Sequence, residues 1–236
     1  LNVVDKGTAG VADSYTASAE LVTAMDALGD SPSFGAEDTV SLDADSTVLQ
    51  SDLVGKAGAL GVTVLNIGAE DIDVAASVAA DIGSAGITGL DIDGADSGSA
   101  VLSAAEAQSL IDAGIGIDEG DTITLQDADD TALVSVLESD SAKVGALGLN
   151  VVDKGTAGVA DSYTASAELV TAMDALDDSP SFGAEDTVSL DADSTVLQSD
   201  LVGKAGALGV TVLNIQADAI ATAVDEELAL IEAGID

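Results

Sequence analysis

The sequence predicts an α/β fold: a right-handed solenoid of strand–helix repeats, with a parallel sheet on one face and helices on the other. Three observations point there. Residues 1–67 return as residues 149–215, an offset of 148 (149 minus 1), with one difference, Gly29 in the first copy and Asp177 in the second. A glycine stands between a helical stretch and a short apolar run at Leu60-Gly61-Val62, Ala85-Gly86-Ile87, Ala113-Gly114-Ile115, Leu147-Gly148-Leu149, Leu208-Gly209-Val210 and Ala233-Gly234-Ile235. Between these glycines, apolar spacing switches between helical periodicity and strict alternation. Strand, helix and Gly turn in units of about 24 to 38 residues imply parallel strands joined by right-handed helical crossovers. An open doubly wound sheet is the main alternative. The chain divides into a first super-repeat, 1–148, of about five strand–helix units, and a partial second one, 149–236.

The elements follow in order. NVVD (2–5, again 150–153) reads as a strand, and Leu21, Met25 and Leu28 form the stripe of a first helix. DTVSLD (Asp38 to Asp43) alternates Val40 and Leu42 with polar neighbours, one face buried. Leu49, Leu53 and Leu60 mark the next helix, TVLNI (63–67) the next strand, and Val74, Val78 and Ile82 another helix. TGLDI (88–92) is a strand. Ser103 and Glu106 set up a capping box ahead of Ala107, Leu110 and Ile111. DTITLQ (Asp121 to Gln126) repeats the alternation, and Leu133, Leu137, Val144 and Leu147 repeat the stripe. Copies at 187–191 and 211–215 bring the total to about eight strands. Thr39 to Thr63 spans 24 residues (63 minus 39), but Thr122 to Asn150 spans 28 (150 minus 122). The extra four residues make about one helical turn, so the apolar face keeps its direction. Each glycine fits a left-handed C-cap.

Composition narrows the function. Of 236 residues 47% are hydrophobic, enough for a core, yet only two Phe, two Tyr and no Trp are present. Thin layers of Ala, Val, Leu and Ile suit stacked units. The net charge is −39, from 44 acids against five Lys. Nothing here neutralises phosphates, so nucleic acid is excluded as a partner, and anionic membranes are disfavoured. Without Cys or His, disulfides, thiolate metal sites and His-based catalysis drop out. No apolar run is long enough for membrane insertion. The chain shows no signal peptide and reads as an excerpt of a longer protein.

Acid clusters follow the strands: Asp43 and Asp45, repeated as Asp191 and Asp193; Asp91, Asp93 and Asp96 in DIDGAD; and Asp127, Asp129 and Asp130 in QDADD. Calcium takes several oxygens from a tight turn, and D-x-D-G-x-D supplies three carboxylates plus a pliable glycine. Asp after a strand is also a turn former or helix N-cap, and Asp45 or Ser46 suits that role. Divalent cations, Ca2+ first, are therefore the expected ligands of these ten aspartates. No serine lies in a G-x-S-x-G elbow, no phosphate loop is present, and Gly55-Lys56 stands alone in a helix. The chain is not expected to be an enzyme. Lys6, Lys56 and Lys143 read as ion-pair partners.

Units such as SLIDAGIGIDEGDTITLQDADDTALVSVL and AKVGALGLNVVD resemble the acidic, Cys-free repeat regions of very large secreted bacterial surface proteins. These are adhesin-like and surface-layer-like proteins, often accompanied by repeats-in-toxin segments. An all-β adhesin-type array is a second fold alternative, disfavoured because Ala-rich stripes make poor strands. The resemblance implies a cell-surface, extracellular location and calcium dependence, although no G-G-x-G-x-D nonapeptide occurs. The expected function is that of a structural segment of a long adhesin, filament or surface layer that self-associates. A solenoid binding module for glycan or a partner protein, using Tyr15 and Tyr163, is the first alternative. An acidic halophilic scaffold without specific ions is the second.

Overall fold

The computed structural model describes residues 3–4, 11–28, 32–94, 97–176, 179–217 and 219–225. The chain forms two compact units, 1–122 with 146–148, and 123–145 with 149–236. Both are mixed α/β, and every described strand pairing is parallel.

The first unit opens with β1 (Val3–Val4), β2 (Ser14–Ala17), α1 (Ala19–Asp26), β3 (Ser33–Phe34) and β4 (Thr39–Asp43). Helices α2 (Ser46–Leu49) and α3 (Leu53–Ala59) lead to β5 (Val64–Ile67), then α4 (Ile72–Ser77) and α5 (Ala79–Ser84). It closes with β6 (Gly89–Ile92), β7 (Ser99–Ser103), α6 (Ala104–Ala113) and β8 (Gly116–Ile117). Strands β2, β4, β5, β6 and β8 form one five-stranded sheet in chain order. The register lines up Ala17, Leu42, Leu65 and Leu90, all fully buried, as one column of side chains.

The second unit runs β9 (Thr122–Gln126), α7 (Asp130–Leu137), α8 (Ser141–Gly145), β10 (Leu149–Asp153), β11 (Ser162–Ala165) and α9 (Ala167–Asp174). It continues through β12 (Ser181–Phe182), β13 (Thr187–Ala192), α10 (Ser194–Leu197), α11 (Leu201–Ala207), β14 (Val210–Ile215) and α12 (Ile220–Asp225). Strand β10 lies between β9 and β12, and β13 between β11 and β14. The column Ala165, Leu190, Leu213 repeats that of the first copy.

The glycine turns form as the sequence predicts. Gly61, Gly86, Gly114, Gly148 and Gly209 all have positive φ, from 60 to 101 degrees. Gly234 lies outside the described residues, as do Gly29, Asp177, Lys6 and Asp96. Helix α7 has eight residues where α2 has four, so the extra turn sits there. Ser103 and Glu106 form the full capping box.

Three expectations need correction. The stripes from Leu49 to Leu60 and from Val74 to Ile82 are each two helices, broken at Gln50–Asp52 and at Val78. The buried face of α4 and α5 is Ile72, Ala75, Ala76, Ala79 and Ile82, while Val74 and Val78 are half-buried. In α1, Val22 and Met25 are buried, but Leu28 lies beyond the helix end and is 59% exposed. Small residues face inward because the helices sit very close together. A Cβ on Gly58 of α3 would lie 2.1 Å from the Ala85 carbonyl oxygen after α5, and one on Gly83 of α5 2.6 Å from that of Ala113 in α6. Finally, the described residues hold 14 strands, not about eight. The additional ones are rich in Ser, Thr and Gly, or only two residues long.

Gly55 and Gly58 make an internal control within α3, because a Cβ on Gly55 meets nothing within 4 Å. Gly58→Ala is expected to cost about 1–3 kcal/mol by overpacking. Gly55→Ala should stabilise by about 0.5–1 kcal/mol, the helix-propensity gain alone. Urea denaturation of both variants measures the difference.

Candidate functional site

The clusters at Asp43–Asp45, Asp127–Asp130 and Asp191–Asp193 gather where parallel strands end and helices begin, whereas Asp91 and Asp93 lie at the end of β6, ahead of β7. A helix start leaves backbone N–H groups without partners and carries partial positive charge, so a carboxylate placed there is stabilised. The chain uses this repeatedly. Asp45 caps α2, its Oδ1 accepting from Thr47 N at 3.0 Å and Val48 N at 2.9 Å. Asp193 does the same for α10, at 2.8 and 2.9 Å. Asp129 caps α7 through Thr131 N at 2.9 Å, and Asp127 accepts from Asp129 N at 3.0 Å. Asp130 pairs with Lys154 at 2.5 Å and accepts from Ser166 N at 2.7 Å. Lys56 fills the ion-pair role expected of it, 2.9 Å from Asp52 and 3.4 Å from Asp26.

A row of polar side chains crosses the sheet edge beside these caps. Asp43, Asn66 and Asp91 are in register on β4, β5 and β6. An amide between two carboxylates lowers their repulsion, and Asn66 Nδ2 donates to Asp43 Oδ1 at 2.9 Å. Asn214 does the same to Asp191 at 3.0 Å. Asn66 Oδ1 is shielded from solvent and has no hydrogen-bond donor. Asp93 takes the left-handed conformation, φ 63 degrees, and its Oδ1 accepts from Ala69 N at 3.4 Å.

Asp43, Asp45, Asn66, Glu70, Asp71 and Asp93 line a cleft of about 410 Å³ in the first unit. A second cleft, of about 430 Å³ in the second unit, is lined by Asp130, Ser166, Glu168, Asp191, Asp193 and Gln216. Of the predicted residues, Asp43, Asp45 and Asp93 line the first cleft and Asp130, Asp191 and Asp193 the second, while Asp91, Asp127 and Asp129 line neither. Among the described residues, no three carboxylates converge as a ready-made metal site. The Asn66 oxygen and the rim carboxylates are the oxygen type a hard cation takes.

Four other carboxylates escaped the sequence reading: Asp38, Asp121, Asp153 and Asp186, which are 2 to 8% exposed. Asp121 brackets the chain crossing, accepting from Ile92 N at 2.7 Å and Gly98 N at 2.6 Å. Asp38 and Asp186 accept from Asp13 N and Asp161 N, at 3.2 and 3.0 Å. Asp38, Asp121 and Asp186 each stand directly before the Thr that opens a strand or adjoins it, in Asp38-Thr39, Asp121-Thr122 and Asp186-Thr187. That D-T pair was the available signal. Burial pushes the Asp153 carboxyl above its ordinary value, and the charges of Asp186, Asp161 and Glu185 push the same way, against the Gly155 N–H that pulls it down. Burial also raises the Tyr163 phenol, with Asp186 adding to it.

The aromatic pair offered as a binding patch is spent on packing. Tyr15 meets Phe34 edge to face at 5.9 Å, and Tyr163 meets Phe182 at 6.2 Å. No protein-family model matches this chain, and no curated protein matches it.

Asp121→Asn keeps one acceptor and loses the charge shared by two backbone N–H groups. The expected cost is about 1.5–3 kcal/mol, read as a lower denaturant midpoint at unchanged m-value.

Proposed function

We propose that the chain is a structural segment of a long extracellular adhesin, filament or surface layer, built as a right-handed α/β solenoid and stabilised by calcium. The observation that carries this reading is the parallel register that runs in chain order through β2, β4, β5, β6 and β8. Strands β4 and β5 each lie beside the strand that their own helical connection leads to, which is how repeat proteins bury successive apolar faces. No helix among the described residues is long and apolar enough to cross a membrane.

Calcium enters as the partner of the rims. A net charge of −39 repels itself, and divalent cations at the carboxylate-lined clefts relieve that repulsion. Asp43, Asp71, Asp93 and the Asn66 carbonyl are the oxygens available in the first unit. The glycan-binding alternative is weakened by the packing of Tyr15 and Tyr163. The halophilic-scaffold alternative shares the fold and differs only in needing no particular ion.

Two measurements separate these readings. Calcium at ten times its Kd should add about 1.4 kcal/mol, a melting shift of about 3–6 °C that EDTA reverses. Equal melting in sodium chloride at the same ionic strength would leave only the scaffold. In X-ray scattering, a solenoid should exceed the ~18 Å radius of gyration of a globule this long, and a value near 18 Å would defeat the architecture.

A further inference from the structure

The duplication sets one sequence in two surroundings, and the contrast between them marks a surface. Helices α1 and α9 share the sequence AELVTAMD, and Val3–Val4 of β1 returns as Val151–Val152 of β10. In the second unit β9 pairs with β10, and α7 packs against α9. There Val152, Leu169 and Ala172 are buried and Leu176 is half-buried. In the first unit β1 pairs, among the described residues, with β3 alone. The same side chains stand open there. Val4 and Leu21 are half-buried, Ala24 is exposed, and Val3 and Leu28 are 51% and 59% exposed. Positions away from this side keep their burial, Val11 matching Val159 and Phe34 matching Phe182. The side of β1 away from β3, with the adjoining side of α1, is thus a face whose covered form the same chain displays.

Strand β14 shows the opposite edge in the same condition. It shares Val-Leu-Asn-Ile with β5, which β6 covers, whereas among the described residues β14 pairs with β13 alone. Ile67 and Ile72 are 2% exposed, but Ile215 and Ile220, each 148 positions later (215 minus 67, 220 minus 72), are 37% and 56% exposed. The two open edges have complementary sense. The open side of β1 is the one that takes an earlier strand, as β10 takes β9, and the open side of β14 takes a later one, as β5 takes β6.

We infer that the open side of β1 and α1 docks the open side of β14 from a second copy of this chain, head to tail. The inference rests on the reading of a self-associating structural segment and gives that association its two faces. Every described pairing is parallel, and a twofold contact of β1 with itself would have to be antiparallel. A contact between two different faces leaves one of each free, so growth passes the dimer. Copies that each carry −39 repel, and the contact is apolar. Association therefore tightens as salt screens the charge, the reverse of a contact made by ion pairs.

Sedimentation equilibrium of the 236-residue chain in about 0.1 M and about 1 M sodium chloride, where screening lengths are about 10 and 3 Å, provides the test. Average mass should rise with concentration beyond that of two chains, and at lower concentration in the higher salt. Ala24→Glu and Ile220→Asp put a charge into opposite faces, and each should weaken association at least about tenfold. Both side chains are exposed, so melting of either variant should match the wild type. Mixed together, the two variants should form a one-to-one dimer and nothing larger, since each keeps the face the other has lost. A wild-type chain that stays monomeric at every concentration in both salts overturns the docking, while the calcium and scattering measurements still decide the segment reading. Growth that stops at the dimer, or a mixture no heavier than its parts, overturns the head-to-tail arrangement. The wild-type masses decide even where a variant fails to fold.

Discussion

The closeness of neighbouring helices governs much else in this chain. Strands in a sheet repeat every ~4.8 Å, whereas packed helices ordinarily keep their axes about 8–10 Å apart. Where adjacent strands each lead into helices, as β4 and β5 do, the helices must come nearer than bulky side chains allow. Gly58 against the Ala85 carbonyl and Gly83 against the Ala113 carbonyl are where that approach is made. The alanine face of α4 and α5 follows from it, and so does the scarcity of aromatic residues. Many of the largest buried apolar side chains, Leu42, Leu65, Leu90 and Ile92 among them, stand on the strands, beside Ile82, Leu110 and Leu133 on helices.

Charge is organised by the same architecture. Every turn from strand to helix presents unpaired N–H groups, and the chain meets several of them with its own aspartates, Asp45, Asp129 and Asp193. These carboxylates are thus part of the fold, not a uniform coat added for solubility. Other rim acids lie beside them on the strand ends, where Asn66 stands between Asp43 and Asp91, and Asn214 donates to Asp191.

Where a residue type had only one conformational reason to be present, the sequence was readable. Gly61, Gly86, Gly114, Gly148 and Gly209 stand in a slot that penalises a Cβ, and all five turn left-handed. The first glycine of Gly58-x-x-Gly61 and of Gly83-x-x-Gly86 was not read, because close approach depends on a neighbour distant in sequence. Val74 and Val78 misled for a related reason: periodicity marks a face, but the packing distance decides which face turns inward. Strands Ser14–Ala17 and Ser99–Ser103 carry mostly small and hydroxyl residues, so alternation gave little signal. For the rim, residue type singled out Asp43, Asp45, Asp93, Asp130, Asp191 and Asp193, which line the two clefts. It did not reveal that Asp121 and Asp153 are buried, since burial of a carboxylate is set by which backbone N–H groups the fold brings to it.

Strand β10 joins the segment before the duplication to the duplication itself, with β9 on one edge and β12 on the other. Its counterpart β1 meets β3 in the same register, Val3 with Ser33 as Val151 with Ser181. An unequal exchange between the two copies in the gene would add or remove one period of 148 residues (149 minus 1). Each new β10 would then find the same two neighbours, so a population could vary in copy number without inventing a single new contact.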